Sequence, residues 1–487
     1  MSDVRRVAVV GAGIAGLTAA RVLRHAAPGA DVVVLEASLR VGGLVETERL
    51  PEGFLLEHGA DCLMTTKPAG LAAVRALGLG AEIVCGQGAR RTYVACGDAL
   101  VPIPPILGPF DPAAVWAFLR SPLLSLRGKL RAACEPFVPP RCGDGDESIA
   151  DFAVRRFGRS LTEAVLDPLL GGVYGADTRR LSMAACLPRL CALERAHGSV
   201  VRGMRQAMRA RRRRARAGEQ VLPPVVALRR GMGSLTDAAA RGLGVELGAS
   251  VRTIARHGRG FRLTTAKGIV DCDGVVLAAP AWALPPLLEP FAPDLAADLA
   301  SIAHKRLDVV TLAWHRGEVP HALDGTGFVR AVGDPRPTAA CTWASEKWPE
   351  RAPAGAVLVR SVLTAPELGD DDLVAAARAD LAALLGVTAA PALVRVRRIA
   401  RATPIYTVGH PALVGRIAER AAALGSVALA GNAYEGVGIP DCIASGEAAA
   451  RALLAALALR GPAPADAAAD PAEAALAEPL IAASIGR

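Results

Sequence analysis

The residues best suited to chemistry in this sequence are three glycines close to its beginning. Gly11, Gly13 and Gly16 lie between the apolar stretch VAVV and a segment rich in Ala and Leu. The spacing predicts a strand, a tight turn at Gly11, a backbone approach to pyrophosphate at Gly13, and close helix packing at Gly16. A second apolar stretch, DVVVLE, ends in Glu36, about 20 residues further on, where a carboxylate can bind a ribose hydroxyl. The pattern predicts a dinucleotide site.

A second glycine pair follows this unit directly. Arg40, Gly42, Gly43 and Leu44 come soon after Glu36, and the segment resembles the RxGG continuation of FAD-dependent oxidases. The resemblance implies that the nucleotide is FAD. A flavin would carry the redox chemistry itself, so neither a Ser-His-Asp triad nor a metal site nor any other catalytic side chain is expected.

The elements that must position this site extend over the whole chain. At the far end, VALAGNAYEGVGIPDCIASGEAAARAL (427–453) predicts a strand and a glycine-rich turn, which would place backbone N–H groups beside an electron-rich ring. No internal repeat is found. Between the two ends we predict a helix at 68–79, a strand at 92–95, helices over 149–208, a helix start in 228–243, strands near Val251 and over 270–280, an antiparallel sheet over 309–362, and a last helix at 446–459.

Several longer segments resemble one family. DPLLGGVYGADTRRLSMAACLPRL (167–190), ALERAHGSVVRGM (192–204), CTWASEKWP (341–349) and YTVGH (406–410) are similar to segments of the oxygen-dependent porphyrinogen oxidases of haem synthesis. These are the protoporphyrinogen and coproporphyrinogen III oxidases, within the wider monoamine-oxidase-like flavoproteins. The resemblance covers roughly residues 5 to 455.

The resemblance implies an α/β fold in which a Rossmann-like FAD-binding domain is interleaved with a mixed-sheet substrate domain and a helical insertion. The FAD domain would be discontinuous, over 1–85, 220–290 and 405–460. Residues 86–219 would form the helical insertion, which binds substrate and faces a membrane, and residues 291–404 the substrate sheet. The Ala-, Pro- and Asp-rich tail 461–487 is predicted to be disordered.

The resemblance also assigns cofactor contacts to residues of this sequence. Val251 matches the strand residue whose backbone meets the adenine. The full set of FAD contacts implied is Gly11, Ala12, Gly13, Ile14, Ala15, Gly16, Glu36, Ala37, Arg40, Gly42, Gly43, Leu44, Gly59, Ala60, Asp61, Val251, Asn432, Val437, Gly438 and Ile439. The alternative for any one of these glycines is a turn or close packing.

The substrate contacts implied are fewer. The family's propionate-binding arginine falls on Arg90, with Tyr93 as the accompanying aromatic residue, although an exposed surface arginine is the alternative. Lys67 is a candidate for a second carboxylate. The segment Gly172, Val173 and Tyr174 would line a tetrapyrrole cleft, with ordinary core packing as the alternative.

The activity implied is removal of hydride from a saturated meso carbon of the porphyrinogen, with dioxygen as final acceptor and hydrogen peroxide as product, in three rounds. Cys442 lies where some amine oxidases attach their flavin, but its segment GVGIPDC resembles enzymes with non-covalent FAD. The choice between protoporphyrinogen IX and coproporphyrinogen III stays open. Coproporphyrinogen carries four propionates, so it would need more cationic groups at the cleft than Arg90 alone.

The net charge is concentrated in one place. Eight arginines between Arg202 and Arg216 account for all but one unit of the net charge of +9. We interpret this run as a solvated helix or loop, with a surface for an acidic membrane or a partner as the alternative. Nucleic acid is disfavoured because the run contains no aromatic side chain. Trp116 and Phe118, close to Arg120 and Arg127, suggest a membrane-facing surface or else a buried helix.

The remaining features indicate a cytoplasmic protein, with peripheral contact at the inner face of the cell membrane as an option. The ten cysteines include no CxxC pair and no metal-ligand spacing, and no apolar stretch is long enough to span a bilayer. The partners expected are a tetrapyrrole and dioxygen, together with a transient contact to the next haem-pathway enzyme; the oligomeric state stays open. The alternatives are a flavin amine oxidase, a carotenoid desaturase or a porphyrin carrier without enzymatic activity.

Overall fold

The structure is a computed structural model that describes residues 5–86, 91–104, 112–141, 143, 145–174, 176–219, 221–331 and 333–457. Of 172 and 173 it describes the helical backbone only. Arg90 and the predicted tail 461–487 lie outside the described residues. The strands are β1 (Arg6–Val10), β2 (Asp31–Leu35), β3 (Thr47–Arg49), β4 (Leu55–Glu57), β5 (Leu63–Met64), β6 (Ile83–Cys85), β7 (Arg91–Cys96), β8 (Ala99–Pro102), β9 (Val225–Leu228), β10 (Gly244–Glu246), β11 (Val251–His257), β12 (Gly260–Thr265), β13 (Gly268–Cys272), β14 (Gly274–Leu277), β15 (His304–His315), β16 (Gly325–Arg330), β17 (Thr338–Trp343), β18 (Ala356–Leu363), β19 (Leu393–Pro404) and β20 (Val427–Leu429).

Helices pack against the five-stranded and the seven-stranded sheet, and further helices form a separate layer over 112–216. Between α6 and α7, Thr162–Leu166 is a π-helical segment. The helices of the described residues are α1 (Ile14–Ala26), α2 (Pro68–Ala76), α3 (Pro112–Arg120), α4 (Leu126–Ala133), α5 (Ile149–Phe157), α6 (Arg159–Leu161), α7 (Asp167–Tyr174), α8 (Met183–Cys186), α9 (Pro188–His197), α10 (Val200–Arg216), α11 (Gly233–Ala240), α12 (Pro285–Leu288), α13 (Pro293–Ala300), α14 (Ala344–Lys347), α15 (Asp370–Leu385), α16 (His410–Ala423) and α17 (Ile439–Ala456).

A parallel five-stranded sheet forms the half of the molecule in which the sequence predicts the nucleotide site. Its order is β10-β2-β1-β14-β20, and every neighbouring pair is parallel. The central strand β1 is almost completely buried, as expected for a continuous apolar run covered on both faces. The strands come from three separate parts of the chain. This confirms the predicted α/β class with an interleaved Rossmann-like unit.

A seven-stranded sheet forms the second half, in the order β19-β15-β18-β17-β16-β7-β8. Its pairs are antiparallel except for β7 and β16, which are parallel. Helix α15 covers one face through Leu373, Ala377 and Leu381, which share an apolar core with the sheet. The other face lies against a large cavity.

Two predicted elements have other bounds in the structure, and one strand of the predicted insertion 86–219 belongs to a sheet of the second half. The strand predicted at 92–95 is β7, which pairs with β16 in the seven-stranded sheet. The strand predicted over 270–280 is two strands, β13 and β14, which separate at Asp273 and belong to different sheets. The last helix begins at Ile439 rather than at 446, since the Asp441 carboxylate accepts the Gly438 N–H and caps it early.

Candidate functional site

One cavity of about 1860 Å³ connects the two halves of the molecule. At one end it is bounded by the carboxyl ends of β1 and β2 and the start of α1. At the other end it is bounded by the open face of the seven-stranded sheet and by α10. The first of these ends is the predicted nucleotide end. It lies where parallel sheets commonly bind ligands, outside the carboxyl ends of the strands.

Glycine is required at the turn between β1 and α1. Gly11 has φ +108°, and a Cβ there would lie 2.8 Å from the carbonyl oxygen of Ala278. Gly13 faces open space, since no atom lies within 4 Å of its would-be Cβ, and it precedes α1 without a side-chain cap. The first N–H groups of α1 are thus available to an anion at the cavity wall. This cradle fits a pyrophosphate.

Glu36 closes the same end. Its carboxylate accepts hydrogen bonds from the backbone N–H of Ala12, at 2.7 Å, and from the backbone and hydroxyl of Ser38, both at 2.8 Å. Glu36 and Ser38 both line the cavity. A carboxylate held in this way at the end of β2 fits the hydroxyls of a ribose.

The Arg40 segment supports the cradle from behind. Gly42 and Gly43 have φ of +105° and +57°, and the Gly42 N–H donates to the Ala12 carbonyl at 2.8 Å. The Arg40 guanidinium donates to the Gly43 carbonyl at 2.6 Å. Gly42, Gly43 and Leu44 line the cavity, whereas Arg40 does not. Arg40 is therefore a residue that holds the loop rather than one that faces a ligand.

A partly buried ion pair lies on the cavity wall. Asp61 accepts from Lys347 at 2.7 Å and from the indole N–H of Trp348 at 3.2 Å. Burial alone would raise the pKa of Asp61, but Lys347 and Arg360 outweigh it and hold the pKa well below its usual range. The Arg360 guanidinium in turn donates to the Gly59 carbonyl at 2.9 Å. The 59–61 segment is thus fastened to the seven-stranded sheet.

The C-terminal glycine-rich turn completes the wall. Tyr406 donates its hydroxyl to the Asn432 carbonyl and accepts the Gly436 N–H at 3.0 Å, which fixes this turn. Cys442 is buried, and burial together with Asp441 raises the pKa of its thiol to about 12. The predicted cofactor residues found on the cavity wall are Gly11, Gly13, Ile14, Ala15, Glu36, Ala37, Gly42, Gly43, Leu44, Gly59, Ala60, Asp61, Val251, Asn432, Val437 and Ile439.

The other predicted cofactor residues support this wall from outside. A Cβ on Gly16 would lie 2.0 Å from the Gly11 carbonyl oxygen, so glycine is needed there for α1 to pack. Ala12 donates to Glu36, and Gly438 caps α17.

The predicted substrate residues are placed differently. Lys67 binds both oxygens of Asp441, at 2.7 and 2.8 Å, and does not line the cavity. Tyr174 is buried in the helical core, where its hydroxyl donates to the Cys186 carbonyl at 2.6 Å, instead of lining the cavity. Arg90 and the side chain of Val173 lie outside what the structure describes, and Gly172 is described only as helical backbone.

Several cavity residues have no local signal in the sequence. Lys305 at the start of β15 and Arg360 on β18 line the same cavity because both strands belong to the seven-stranded sheet. Burial, together with the charge of Arg360, lowers the pKa of Lys305 to about 8. Lys347 is an exception, because it lies within CTWASEKWP, a segment that carries the family resemblance. The cationic side chains on the wall are Arg75, Arg189, Arg211, Arg212, Arg214, Lys305, Lys347 and Arg360.

Comparison with known proteins identifies the source of this architecture. Residues 14–454 match the model of the flavin containing amine oxidoreductase family. The chain belongs to this family. The fold, the glycine cradle and the carboxylate at Glu36 fit a flavin nucleotide, and the chain is a flavin-dependent oxidoreductase.

Within the family, the similar proteins include porphyrinogen oxidases, as the sequence resemblance predicted. A coproporphyrinogen III oxidase from Propionibacterium freudenreichii subsp. freudenreichii is 35% identical over 479 residues, covering 89% of this chain and 88% of the relative. A protoporphyrinogen oxidase from Bos taurus is 29% identical and covers 92% of this chain and 98% of its own. A crystal structure from Exiguobacterium sp. 255-15, provisionally named a protoporphyrinogen oxidase, superposes with a TM-score of 0.80 at 29% identity over 93% and 99% of the two chains.

Proposed function

We propose that this flavoprotein oxidises coproporphyrinogen III to coproporphyrin III, with FAD as cofactor and dioxygen as electron acceptor. The observation that carries the proposal is the charge of the cavity. Eight cationic and two anionic side chains line it among the described residues, a surplus of six positive charges, and the pairing of Asp61 with Lys347 removes one charge of each sign and leaves that surplus unchanged. Such a surplus of positive charge suits a substrate with several carboxylates. Coproporphyrinogen III carries four propionates, whereas protoporphyrinogen IX carries two.

The reaction removes six electrons and six protons from the macrocycle, and three molecules of dioxygen take them up as three molecules of hydrogen peroxide. When bound, FAD supplies the acceptor for each hydride. The chain would hold it through the Gly11–Gly16 turn, Glu36 and the Gly42–Gly43 loop. The sheet residues Val329 and Val362 provide an apolar wall that keeps water from the macrocycle, while Lys305 and Arg360 attract its carboxylates.

The FAD is proposed to be non-covalent. A thioether would need the Cys442 thiolate, and a pKa of about 12 keeps that thiol protonated at neutral pH. Acid precipitation of the yellow protein is expected to leave all the flavin in the supernatant. Flavin that stays in the pellet of the unaltered protein but not of Cys442→Ala would contradict this part of the proposal.

We further propose that the helical region docks on an acidic membrane surface from the cytoplasm. Trp116 on α3, Leu126 and Leu130 on α4, and Phe137 are 58, 70, 61 and 81% exposed, respectively. Arg120 lies over the Trp116 ring at 4.8 Å. Phe118, by contrast, packs against the helical core. No helix in the described part of the chain is long and apolar enough to cross a bilayer, so this contact would be peripheral.

Anaerobic mixing tests the main proposal. Coproporphyrinogen III is expected to bleach the flavin absorbance of the yellow protein, and air is expected to restore it with the appearance of porphyrin fluorescence and peroxide. Protoporphyrinogen IX is expected to react more slowly. Faster turnover of protoporphyrinogen IX would reverse the substrate assignment. Bleaching by amines alone would instead make the protein an amine oxidase.

A further inference from the structure

Helix α10 has two different faces, although both carry arginines. With 3.6 residues per turn, positions 204, 208, 211 and 215 fall on one side of the helix. The run forms a solvated helix, as interpreted from the sequence, and one side of this helix also borders the cavity. The residues of α10 that line the cavity are Met204, Ala207, Met208, Arg211, Arg212, Arg214 and Ala215, whereas Arg202, Arg205, Arg209, Arg213 and Arg216 do not line it.

The three arginines of the cavity face differ in how they are engaged. Arg214 is paired with Glu219 at 2.6 Å. Arg211 donates from Nη2 to the Leu222 carbonyl at 2.9 Å, which orients its guanidinium and leaves other N–H donors available. Arg212 has no ion-pair partner within the part of the chain that the structure describes. Arg211 and Arg212 can therefore both bind an anion.

A hydrogen bond connects the segment after this helix with the segment that carries a third arginine. Thr65 donates its hydroxyl to the Pro223 carbonyl at 2.7 Å, next to the carbonyl that Arg211 contacts. The segment that starts at Thr65 leads into α2, whose exposed Arg75 lines the same cavity. The guanidinium groups of Arg75, Arg211 and Arg212 are the cationic rim of the cavity. They belong to α2 and α10, and the cradle that suits a pyrophosphate belongs to the Gly11 turn and the end of β2.

We propose that Arg211 and Arg212, together with Arg75, bind the peripheral carboxylates of the tetrapyrrole at the rim and select macrocycles with four carboxylates over those with two. The inference rests on the proposed function and names the residues that determine its specificity. A guanidinium can bind a carboxylate through two parallel N–H donors, which favours propionates over uncharged substituents. All three side chains are exposed, so an incoming substrate would meet them before the macrocycle enters the cavity.

The test compares two double variants of the flavin-loaded protein. Arg211→Gln/Arg212→Gln removes two charges from the cavity face, and Arg209→Gln/Arg213→Gln removes two from the outer face of the same helix. Dissociation constants are measured for coproporphyrin III and protoporphyrin IX by fluorescence, with KM and kcat for the matching porphyrinogens. The cavity-face variant is expected to bind coproporphyrin III about tenfold more weakly, since charge-assisted hydrogen bonds are lost. Protoporphyrin IX should be affected less, and KM should change more than kcat.

Two outcomes would overturn the assignment: equal weakening by both double variants, or no weakening by the cavity-face variant. Should that variant fail to fold, Arg212→Gln alone is compared with Arg213→Gln under the same criteria. Turnover by the unaltered protein separates the two proposals. Failure to oxidise any porphyrinogen would remove the proposed function, whereas normal turnover with unchanged selectivity in the variants would remove only the role of the rim.

Discussion

The two ends of the cavity are lined by different chemical groups. The nucleotide end is made of backbone, with glycines where any side chain would collide with a carbonyl group, as at Gly11 and Gly16. The other end is made of long cationic side chains on separate strands and helices, such as Lys305 and Arg211. The first arrangement depends on close backbone contacts, from Gly16 to Gly11 and from Gly11 to Ala278, and tolerates little change. The second depends on charge and position, so single substitutions there should alter affinity before they alter folding.

The largest expected effect is at the nucleotide end. Gly16→Ala places a Cβ 2.0 Å from the Gly11 carbonyl oxygen, and we expect a loss of about 3 kcal/mol in unfolding free energy, with little flavin retained. Gly13→Ala meets no atom in the protein, so it should keep the apoprotein melting temperature and lose flavin affinity. Thermal unfolding and flavin absorbance measure both. A normal flavin content in Gly13→Ala would contradict this contrast between the two ends, because it would mean that no phosphate approaches the backbone at Gly13.

Glu36→Gln should separate cofactor binding from substrate binding. The substitution removes the charge that accepts from Ala12 and Ser38 and that faces the predicted ribose. We expect flavin affinity to fall by about 2 kcal/mol, as measured by titration of the apoprotein. With saturating flavin, the KM for porphyrinogen should stay unchanged. A change in KM under those conditions would show that the two ends are coupled.

The outer surface of the helical region gives a third test. Leu126→Ser/Leu130→Ser removes two exposed apolar side chains, and each should weaken binding to phosphatidylglycerol vesicles by about 1.5 kcal/mol if it enters the bilayer surface. Ile269→Ser, at a side chain that is 64% exposed on β13, is the matched control and should have no effect. Co-sedimentation measures the difference. Equal loss in both variants would contradict a defined docking surface.

The smallest expected effect depends on pH. Because burial and Arg360 lower the pKa of Lys305 to about 8, its positive charge is present below that pH and is lost as pH rises through it. Binding of coproporphyrin III should therefore weaken by about 1 kcal/mol between pH 7 and pH 9, while the flavin content stays constant. Lys305→Met should remove this step. A step that persists in Lys305→Met would assign the titration to another group.

The sequence was informative where function depends on local spacing. The glycines of the first turn and Glu36 predicted the cradle, because a turn, a strand end and a helix start are set by residues close together in the chain. The sequence did not predict that Arg75, Arg211 and Arg212 line one cavity. A run of arginines has the same composition whether it faces water or a cavity, and Met204 and Met208 indicate the inner face only once α10 is known to lie against the cavity.

Lys67 shows a long-range pairing that the sequence did not predict. Its charge made it a reasonable candidate for a substrate carboxylate, but folding brings it to Asp441, more than 370 residues away in the chain, and that pairing takes it off the cavity wall.

The sequence by itself therefore determined the glycine turn, the α/β class and the family resemblance, since these depend on spacing and on apolar periodicity. The tertiary structure decided which charges share one cavity. Lys305 and Arg360 line this cavity from two strands of one sheet, and Arg211 and Arg75 line it from helices in different parts of the chain. Long-range contacts of this kind follow from the burial of apolar faces, which one sequence does not specify pair by pair.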